Sequence, residues 1–442
     1  MSAETIEREL GAGAKLFVQT SHVLPIVAVV VALRTGAAHD PAGKEGLSRA
    51  TARMLRRGCE GLDAIAVERS IDALGGEVGF EVAASSTAVS GQVLARNLEP
   101  FVDLVAKMIG KPTFAQDEVD RLLRETRAEL LESLDNDRGL ADRHFRRRLF
   151  AGHPYGRTSR GTSASLAAID RDAIRGHHAA NYVRGNVVVA MSGDVAAEEA
   201  ERLARKLVDA LPQRGTPTEG LAEPPVLGGR HLVFVDKPER TQTQILIGGL
   251  GTEAHDPDHI ALTVANAIFG GTFTSRLTRE VRGKRGWSYG ASSRLGVDRR
   301  RHSFLMWTFP AASDAAPCAA LEIDLLEKLV AGGVTEREVR FIQRYLTRSW
   351  AFEVDTAQKR VHHALDVELL GLPGDYYSGY LDHIGAVTPD TANAALSARI
   401  HPSDLVVTVV GTAATTLDAI RAAIPSLATE EVVPYDHEAK EN

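Results

Sequence analysis

The chain has 442 residues, and its 51 lysines and arginines against 58 aspartates and glutamates give a formal net charge of −7. Hydrophobic residues form 44 % and charged residues 25 % of the chain, which excludes fibrous and wholly disordered proteins. A mildly acidic chain lacks the dense positive charge that nucleic-acid binding needs, so we expect no nucleic-acid partner. Because a single core stops growing near ~250–300 residues, the length predicts two domains.

Local features limit the class of protein further. The basic runs 146–148 and 299–301 are short and predict solvated surface. Cys59 and Cys318 have unrelated neighbours, so they predict neither a metal motif nor a disulfide framework. The longest apolar run, 26–33, is far shorter than the ~20 residues that cross a bilayer, and no basic signal-peptide region precedes it. We therefore expect a cytoplasmic protein without a membrane partner.

In chain order, apolar periodicity predicts strands and helices that mix without a strict alternation. A buried strand at 26–33 comes first, and 77–94 reads as a β-hairpin. The predicted helices of the first half are 46–55, 64–74, 98–109, 115–134 and 141–149. This order predicts an α+β domain with helices on one face of a largely antiparallel sheet.

The second half of the chain repeats the first. Residues 39–41, His-Asp-Pro, recur 216 residues later at 255–257, each time between an apolar strand and a helix. The strand runs 186–194 and 404–412 match at an offset of 218 residues, and each precedes an alanine-rich helix. Two matches at nearly one spacing predict two homologous α+β domains that arose by duplication.

A segment unsuited to regular structure separates the two copies. Residues 211–229 contain four prolines and four glycines, which forbid a continuous helix or a central strand. The sequence thus predicts an N-terminal domain at 1–211, a linker at 212–229 and a C-terminal domain at 230–442.

The sequence contains no phosphate-loop signature and no HExxH or HxxEH zinc-peptidase signature. Six segments of the chain nevertheless point together to a known family. The six segments are 46–55, 74–78, 153–157, 192–194, 269–277 and 282–289. With the duplication, they resemble the pitrilysin/insulinase-like zinc peptidases, also called inverzincins, which include mitochondrial processing peptidases and paired bacterial enzymes. The resemblance covers nearly the whole chain.

The first helix of this family carries the zinc motif in active members. There, two histidines of HxxEH hold the metal and the glutamate between them is the general base. The matching residues here are 49–53, Arg-Ala-Thr-Ala-Arg. Guanidinium groups offer no lone pair, so Arg49 and Arg53 cannot ligate zinc, and Ala52 removes the base. The resemblance therefore implies a degenerate zinc site, no metal or cofactor in this chain, and a chain that is inactive alone.

A carboxylate remains where the family has its third zinc ligand. That ligand is a glutamate on a later helix, and its match in this sequence is Glu129. Glu129 opposite two cationic side chains predicts an ion pair with Arg49, with Arg53 or with both. The alternative is that all three are ordinary charges on helix surfaces.

In the second half, the resemblance points to substrate binding. Arg282 and Tyr289 have the seven-residue spacing of an arginine and a tyrosine that reach into the cleft of family members and hydrogen-bond the substrate peptide. Such donors would stabilise a developing oxyanion. The alternative is an exposed arginine and an ordinary strand tyrosine. Gly270 and Gly271 are candidates for a loop that contacts substrate, or for a helix C-cap.

The resemblance implies a division of labour between two homologous subunits. This chain would be the zinc-less subunit of a heterodimeric metallopeptidase that cleaves peptides, and a homologous partner with HxxEH would hold the zinc. Two alternatives stay open. One is a structural subunit like the core proteins of the respiratory bc1 complex, and the other is a homodimeric peptide-binding protein without proteolysis.

Overall fold

The computed structural model describes residues 5–213 and 220–437 of the chain. Its strands are β1 (Ile6–Gly11), β2 (Ala14–Thr20), β3 (Ile26–Leu33), β4 (Gly58–Cys59), β5 (Leu62–Asp63), β6 (Glu77–Val82), β7 (Thr87–Leu94), β8 (Val187–Gly193), β9 (Arg230–Asp236), β10 (Gln244–Leu250), β11 (Ala291–Leu295), β12 (Ser303–Thr308), β13 (Val406–Gly411) and β14 (Leu427–Pro434). The predicted strand at 26–33 and the predicted hairpin at 77–94 are confirmed as β3 and as the pair β6–β7.

The helices lie between these strands, and the five predicted for the first half appear as α1 to α5 with small shifts at their ends. They are α1 (Leu47–Met54), α2 (Ala64–Ala73), α3 (Leu98–Gly110), α4 (Gln116–Glu132), α5 (Asp137–Leu149), α6 (Ser163–Ala167), α7 (Arg171–Asn181), α8 (Ala197–Asp209), α9 (His259–Asn266), α10 (Arg276–Thr278), α11 (Ala315–Gly332), α12 (Glu336–Glu353), α13 (Ala357–Leu370), α14 (Tyr380–Ala386), α15 (Pro389–Arg399) and α16 (Ala413–Ala423).

Two six-stranded sheets form the centres of the two halves. The first has the order β1-β2-β8-β3-β7-β6, with β2 and β8 parallel and its other neighbours antiparallel. The second has the order β11-β12-β10-β13-β9-β14, with β9 parallel to both β13 and β14. Both sheets are largely antiparallel, and the duplicated α+β fold is confirmed.

Strand order shows which elements correspond between the halves. The series β2-β8-β3-β7-β6 of the first sheet matches β9-β13-β10-β12-β11 of the second. The sixth strand differs, because β1 precedes β2 and pairs with it antiparallel, whereas β14 comes from the end of the chain and lies parallel to β9. The two copies have therefore diverged at one sheet edge.

The repeated His-Asp-Pro motif starts the first helix of each half. The Asp40 carboxylate accepts hydrogen bonds from the backbone N–H of Gly46 and of Ser48, both at 2.8 Å, and so fixes the loop that leads into α1. Asp256 accepts from the N–H of Asp258 at 2.9 Å just before α9. Burial raises the pKa of Asp40 to about 6, although the hydrogen bonds from Ser48 oppose the shift.

Each sheet has one face covered by helices of its own half and the other covered by a helix of the opposite half. Helix α5 of the first half packs on the second sheet, and α13 of the second half packs on the first sheet. The buried side chains at these contacts include Leu140, Phe145 and Leu149 on α5 and Val361, Leu365 and Leu369 on α13. This exchange buries both faces of each sheet and ties the halves together.

The prediction that the basic runs 146–148 and 299–301 are solvated surface holds only in part, because the side chains of Arg147 and Arg300 are 40 % and 39 % exposed but other arginines of the runs bond to the protein. Arg299 Nη1 donates to the backbone oxygen of Arg34 at 3.0 Å and its Nε donates to that of Leu369 at 2.6 Å. The run 146–148 lies on α5, which packs on the second sheet. Guanidinium groups carry five donors, so at the boundary between the halves they satisfy backbone acceptors.

The predicted linker 212–229 is described only in part, because residues 214–219 lie outside the described residues. Its described end contacts both halves before β9: the Leu221 oxygen accepts from Arg300 Nε of the second half at 2.6 Å, and the Ala222 oxygen lies 2.9 Å from His153 Nε2 of the first half. Over 5–213 and 220–437, no helix has both the length and the apolar character needed to cross a bilayer.

Candidate functional site

The degenerate zinc motif lies on α1 and faces α4. Arg49 and Arg53 are four residues apart, so they share one face of the helix. Opposite them, α4 presents Glu125, Thr126 and Glu129.

Arg53 and Glu129 form a bidentate ion pair. Arg53 Nη2 donates to Glu129 Oε1 at 2.7 Å and Nη1 donates to Oε2 at 3.0 Å, and Nη1 also donates to Thr126 Oγ1 at 3.2 Å. Arg49 Nη2 lies 3.5 Å from Glu129 Oε2. The predicted pairing of Glu129 with the two arginines is confirmed, and the side chains of Arg53 and Glu129 are only 23 % and 37 % exposed.

A second arginine–glutamate group continues this contact along α4, with an arginine that follows the end of α1. Arg57 donates to Glu118 at 3.0 Å and to Glu125 at 2.5 Å. Burial acts in the opposite direction, but the hydrogen bond and charge of Arg57 hold the pKa of Glu125 below its usual value. Ion pairs therefore occupy the surface between α1 and α4 over about two turns.

Arg49 has fewer partners at this surface than Arg53. Burial, followed by the charge of Arg53, lowers the pKa of Arg49. The Nε of Arg49 is buried and has no hydrogen-bond partner in the described residues. Arg49 and Arg53 share Glu129, and Arg53 Nη2 also lies 3.9 Å from a carboxylate oxygen of Glu125.

The residues present do not fit a catalytic zinc ion. Ala52, which stands where active family members have the general base, is fully buried and carries no ionisable group. In the part of the chain that the structure describes, no three histidine, cysteine or acidic side chains come together as a possible metal site. Arg49 and Arg53 place positive charge beside Glu129, and a guanidinium group has no lone pair to ligate a metal.

The second predicted pair forms an exposed stack in the other half. The Arg282 guanidinium lies 4.3 Å from the ring centre of Tyr289 and 4.8 Å from that of Phe273. Tyr289 and Phe273 are 76 % and 72 % exposed, which is rare for large aromatic side chains. Within the described residues, Arg282 forms no ion pair and the Tyr289 hydroxyl makes no hydrogen bond. Sequence reasoning missed Phe273, although an aromatic residue among the threonines of 269–277 is a signal for an exposed ring.

The turn before Tyr289 is held by Ser288. Its hydroxyl donates to the Gly290 oxygen at 2.6 Å and accepts from the Phe309 N–H at 3.0 Å. Residues 286–290 match the letters GxSxG, but Ser288 is buried and this hydroxyl is already engaged with backbone. The serine therefore positions Tyr289 and is not a nucleophile.

Gly270 and Gly271 lie in a π-helical turn, Ala267–Gly271, that follows α9. A Cβ on Gly270 would lie 2.5 Å from the backbone nitrogen of Ser293, so glycine is needed where this turn packs on β11. Neither glycine has a positive φ, so the alternative of a left-handed C-cap is wrong. A substrate contact by these two residues stays a prediction.

The structure brings together the members of each predicted set but does not bring the two sets together. Arg49, Arg53 and Glu129 belong to the first half, and Arg282 and Tyr289 belong to the second. Among the described residues, no hydrogen bond or ion pair joins one set to the other.

Two family models match the chain in consecutive segments. The model described as insulinase (peptidase family M16) matches residues 16–163, and the model described as peptidase M16 inactive domain matches residues 168–346. The chain belongs to peptidase family M16. The model described as an inactive domain covers residues of the second half, and in the first half residues 49–53 of α1, Arg-Ala-Thr-Ala-Arg, contain no histidine and no carboxylate.

Relatives of this M16 chain are named as zinc proteases or as a non-peptidase homolog. The chain is 29 % identical to an uncharacterized zinc protease of Mycobacterium leprae over 335 residues, which is 74 % of each chain. It is 20 % identical to a non-peptidase homolog of Helicobacter pylori over 394 residues, 89 % of this chain and 90 % of that one.

Solved structures agree with the M16 fold. A peptidase M16 inactive domain from Pseudomonas fluorescens has a TM-score of 0.86 at 26 % identity, covering 92 % of this chain and 98 % of that chain. A protease from Helicobacter pylori has a TM-score of 0.85 at 17 % identity, covering 92 % and 100 %, and supports the fold alone.

Proposed function

We propose that this chain is the zinc-less subunit of a heterodimeric M16 metallopeptidase, in which it binds the substrate peptide and stabilises the transition state. A homologous partner with an intact HxxEH motif would hold the zinc. We propose further that 1–211 and 230–442 are the domains of this subunit, joined by 212–229. We place it in the cytoplasm, where its buried free thiols Cys59 and Cys318 would stay reduced.

The observation that carries the proposal is the exposed stack of Arg282 between Phe273 and Tyr289. Aromatic rings hold the guanidinium plane without neutralising its charge, so its N–H groups remain available to a peptide carbonyl. An exposed cation–π contact contributes only ~0.5–1 kcal/mol to folding. A donor to a developing oxyanion contributes ~3–4 kcal/mol to catalysis. Arg282 would therefore contribute more free energy as a donor to a bound substrate than its stack contributes to the folding of the chain.

The degenerate pocket supports the need for a second subunit. Peptide hydrolysis in this family requires a metal-bound water and a base, and the Arg53–Glu129 pair with Ala52 supplies neither. Arg282 and Tyr289 lie in the other half of the chain and do not contact this pocket within the described residues. A zinc site for them to act on would have to come from another chain.

The test is a reconstituted complex of this chain with an M16 homologue that contains HxxEH. Cleavage of an internally quenched fluorescent peptide gives kcat/KM, and size-exclusion chromatography follows assembly. We expect Arg282→Ala and Tyr289→Phe each to lower kcat/KM at least about tenfold, because each removes one donor to the oxyanion, while the complex still assembles.

Arg279→Ala is the matched control. Arg279 lies in the same π-helical turn as Arg282, its side chain is 58 % exposed, and its nearest ion-pair contact, Glu280, is 3.8 Å away. Full activity in both the Arg282 and the Tyr289 variants would contradict the proposal. A homologue that is equally active without this chain would favour the structural subunit, and a homodimer that binds peptide without cleavage would favour the third alternative.

A further inference from the structure

A cavity of about 280 Å³ lies in the first half beside the N-terminus of α5. Within the described residues, one carboxylate and four guanidinium groups belong to its lining: Asp142, Arg143, Arg146, Arg157 and Arg160. A groove of about 350 Å³ shares Asp142 with it, continues against the second sheet and adds Arg138 and Arg294. Six arginines around one aspartate stand out in a chain with a net charge of −7.

Neutral acceptors hold two of these arginines in place. Arg146 donates from Nε and Nη2 to the Tyr155 backbone oxygen at 3.2 Å and 2.9 Å. Arg157 Nη1 donates to the Asp40 backbone oxygen at 2.8 Å, and a carboxylate oxygen of Glu45 lies 3.9 Å from its Nε. A carbonyl fixes a guanidinium group but leaves its charge in place, so the cavity is positive and already ordered.

Two further features add to the positive potential. Arg160 is exposed at the cavity rim and forms no side-chain hydrogen bond or ion pair among the described residues. The positive charge of Arg160 also acts on Arg49 of α1. Burial, followed by the charges of Arg53 and Arg160, lowers the pKa of Arg49. Helix α5 begins at the cavity with Asn136 as its cap, and the N-terminal end of a 13-residue helix attracts anions.

The cavity also lies at the end of a sheet edge on which, within 5–213 and 220–437, no further strand pairs. Strand β6 is the last strand of the first sheet, and its final residue, Val82, lines the cavity together with Ala83 and Ala84. A peptide that pairs with β6 would advance ~3.3 Å per residue along this edge and bring its next residue to the arginines.

We propose that this arginine cavity binds a carboxylate of the substrate peptide, so that the protein selects peptides that present a carboxylate at this position. The inference rests on the proposed function as a peptide-binding subunit and adds the substrate class to it. The carboxylate could belong to an acidic side chain or to the C-terminus of the peptide, since guanidinium groups recognise both through the same paired N–H donors. Arg160 would bind this carboxylate, because its guanidinium N–H groups make no hydrogen bond within the described residues.

The experiment measures binding of four fluorescein-labelled decapeptides to the full chain by fluorescence anisotropy. Two peptides contain three glutamates and two contain three glutamines at the same positions, and each pair has one free and one amidated C-terminus. If side chains are recognised, both glutamate peptides bind about tenfold tighter than the glutamine peptides. If the terminus is recognised, the free-ended peptides bind about tenfold tighter than the amidated ones. Either preference supports a carboxylate site in the cavity only if replacing Arg160 reduces that preference.

Arg160→Gln should therefore reduce the preference to about threefold or less. The matched control is Arg96→Gln, because Arg96 is an exposed arginine of the same half that lies in none of the cavity linings. Equal affinity for all four peptides, no binding of any peptide, or a preference that Arg160→Gln leaves unchanged would overturn the inference. The outcome of this binding experiment is independent of the cleavage assay. The chain could prefer peptides with a carboxylate without assisting a peptidase, and it could assist a peptidase without this preference.

Discussion

Glu129→Gln tests the ion pair that replaces the zinc site, because it keeps the size of the side chain and removes its charge. Glutamine can accept one hydrogen bond from Arg53, but the bidentate pair with Nη1 and Nη2 is lost. Arg49 then loses the carboxylate 3.5 Å away, and the next one, Glu125, lies 3.9 Å from Arg53. Two partly buried guanidinium groups are left to repel each other across one helical turn.

The size of the effect follows from the burial of the pair. A hydrogen bond to a charged group contributes ~1.5–3 kcal/mol, while a fully exposed ion pair contributes ~0–1 kcal/mol. With side chains 23 % and 37 % exposed, this pair lies between these limits, so we expect Glu129→Gln to cost about 2 kcal/mol. For a half of this size that corresponds to a fall in Tm of roughly 4–8 °C.

Urea denaturation and thermal unfolding followed by circular dichroism measure this change. A double-mutant cycle with Arg53→Gln should give a coupling energy of about 1–2 kcal/mol. Glu132→Gln is the control, because Glu132 is exposed on the same helix and forms no ion pair in the described residues, so it should stay within about 0.5 kcal/mol of the wild type. A Glu129→Gln variant as stable as the wild type, or more stable, would refute the reasoning.

A buried acid, the contact between the halves and the metal content provide three more tests. Burial raises the pKa of Glu322 to about 7, so the native state holds a proton that the unfolded chain releases near pH ~4.3, and stability should fall as the pH rises from about 5 to 7. Glu322→Gln should remove about 3 kcal/mol of this fall, measured by urea denaturation at a series of pH values. Phe145→Ala should cost about 3–5 kcal/mol in the same assay at neutral pH, because this fully buried ring of α5 packs on the second sheet. Mass spectrometry of the purified chain should find less than about 0.1 zinc per chain, because arginines ligate no metal.

Each of these tests has its own contrary result. An unchanged pH slope in the Glu322 variant would show that this carboxyl does not titrate in the window. A loss below about 1 kcal/mol for Phe145→Ala, comparable with that of the exposed control Ile65→Ala, would show that α5 does not join the halves. One zinc ion per chain would overturn the degenerate-site assignment.

The sequence predicted what short-range patterns encode. The apolar run 26–33, the hairpin 77–94 and the repeated His-Asp-Pro motif specify strands and helix starts directly. The pairing of Arg53 with Glu129 was predicted from the resemblance to the family, because the two residues are far apart in the chain. The hairpin β1–β2 was missed, because Glu7, Arg8 and Glu9 lie on an exposed edge strand whose polar side chains look like a loop in sequence.

Long-range packing accounts for the other differences. The apolar stripe of α13 shows that one face is buried, but not that the sheet beneath it belongs to the other half. The arginine cavity was not predicted, because its lining comes from segments far apart in the chain. The stack of Phe273 and Arg282 was not predicted either, because it depends on α10 and on the π-helical turn Arg279–Lys284 that bring the two side chains together.

The central claim is that this chain supplies substrate contacts to a zinc site on another subunit. The most direct measurement is the rate of peptide cleavage by a zinc-loaded M16 homologue, titrated with wild-type chain and with Arg282→Ala. The account predicts that the wild-type chain raises kcat/KM to a plateau at one chain per zinc subunit and that the variant reaches a plateau at least about tenfold lower. A rate that does not depend on the added chain, or equal plateaus for the two proteins, would contradict it.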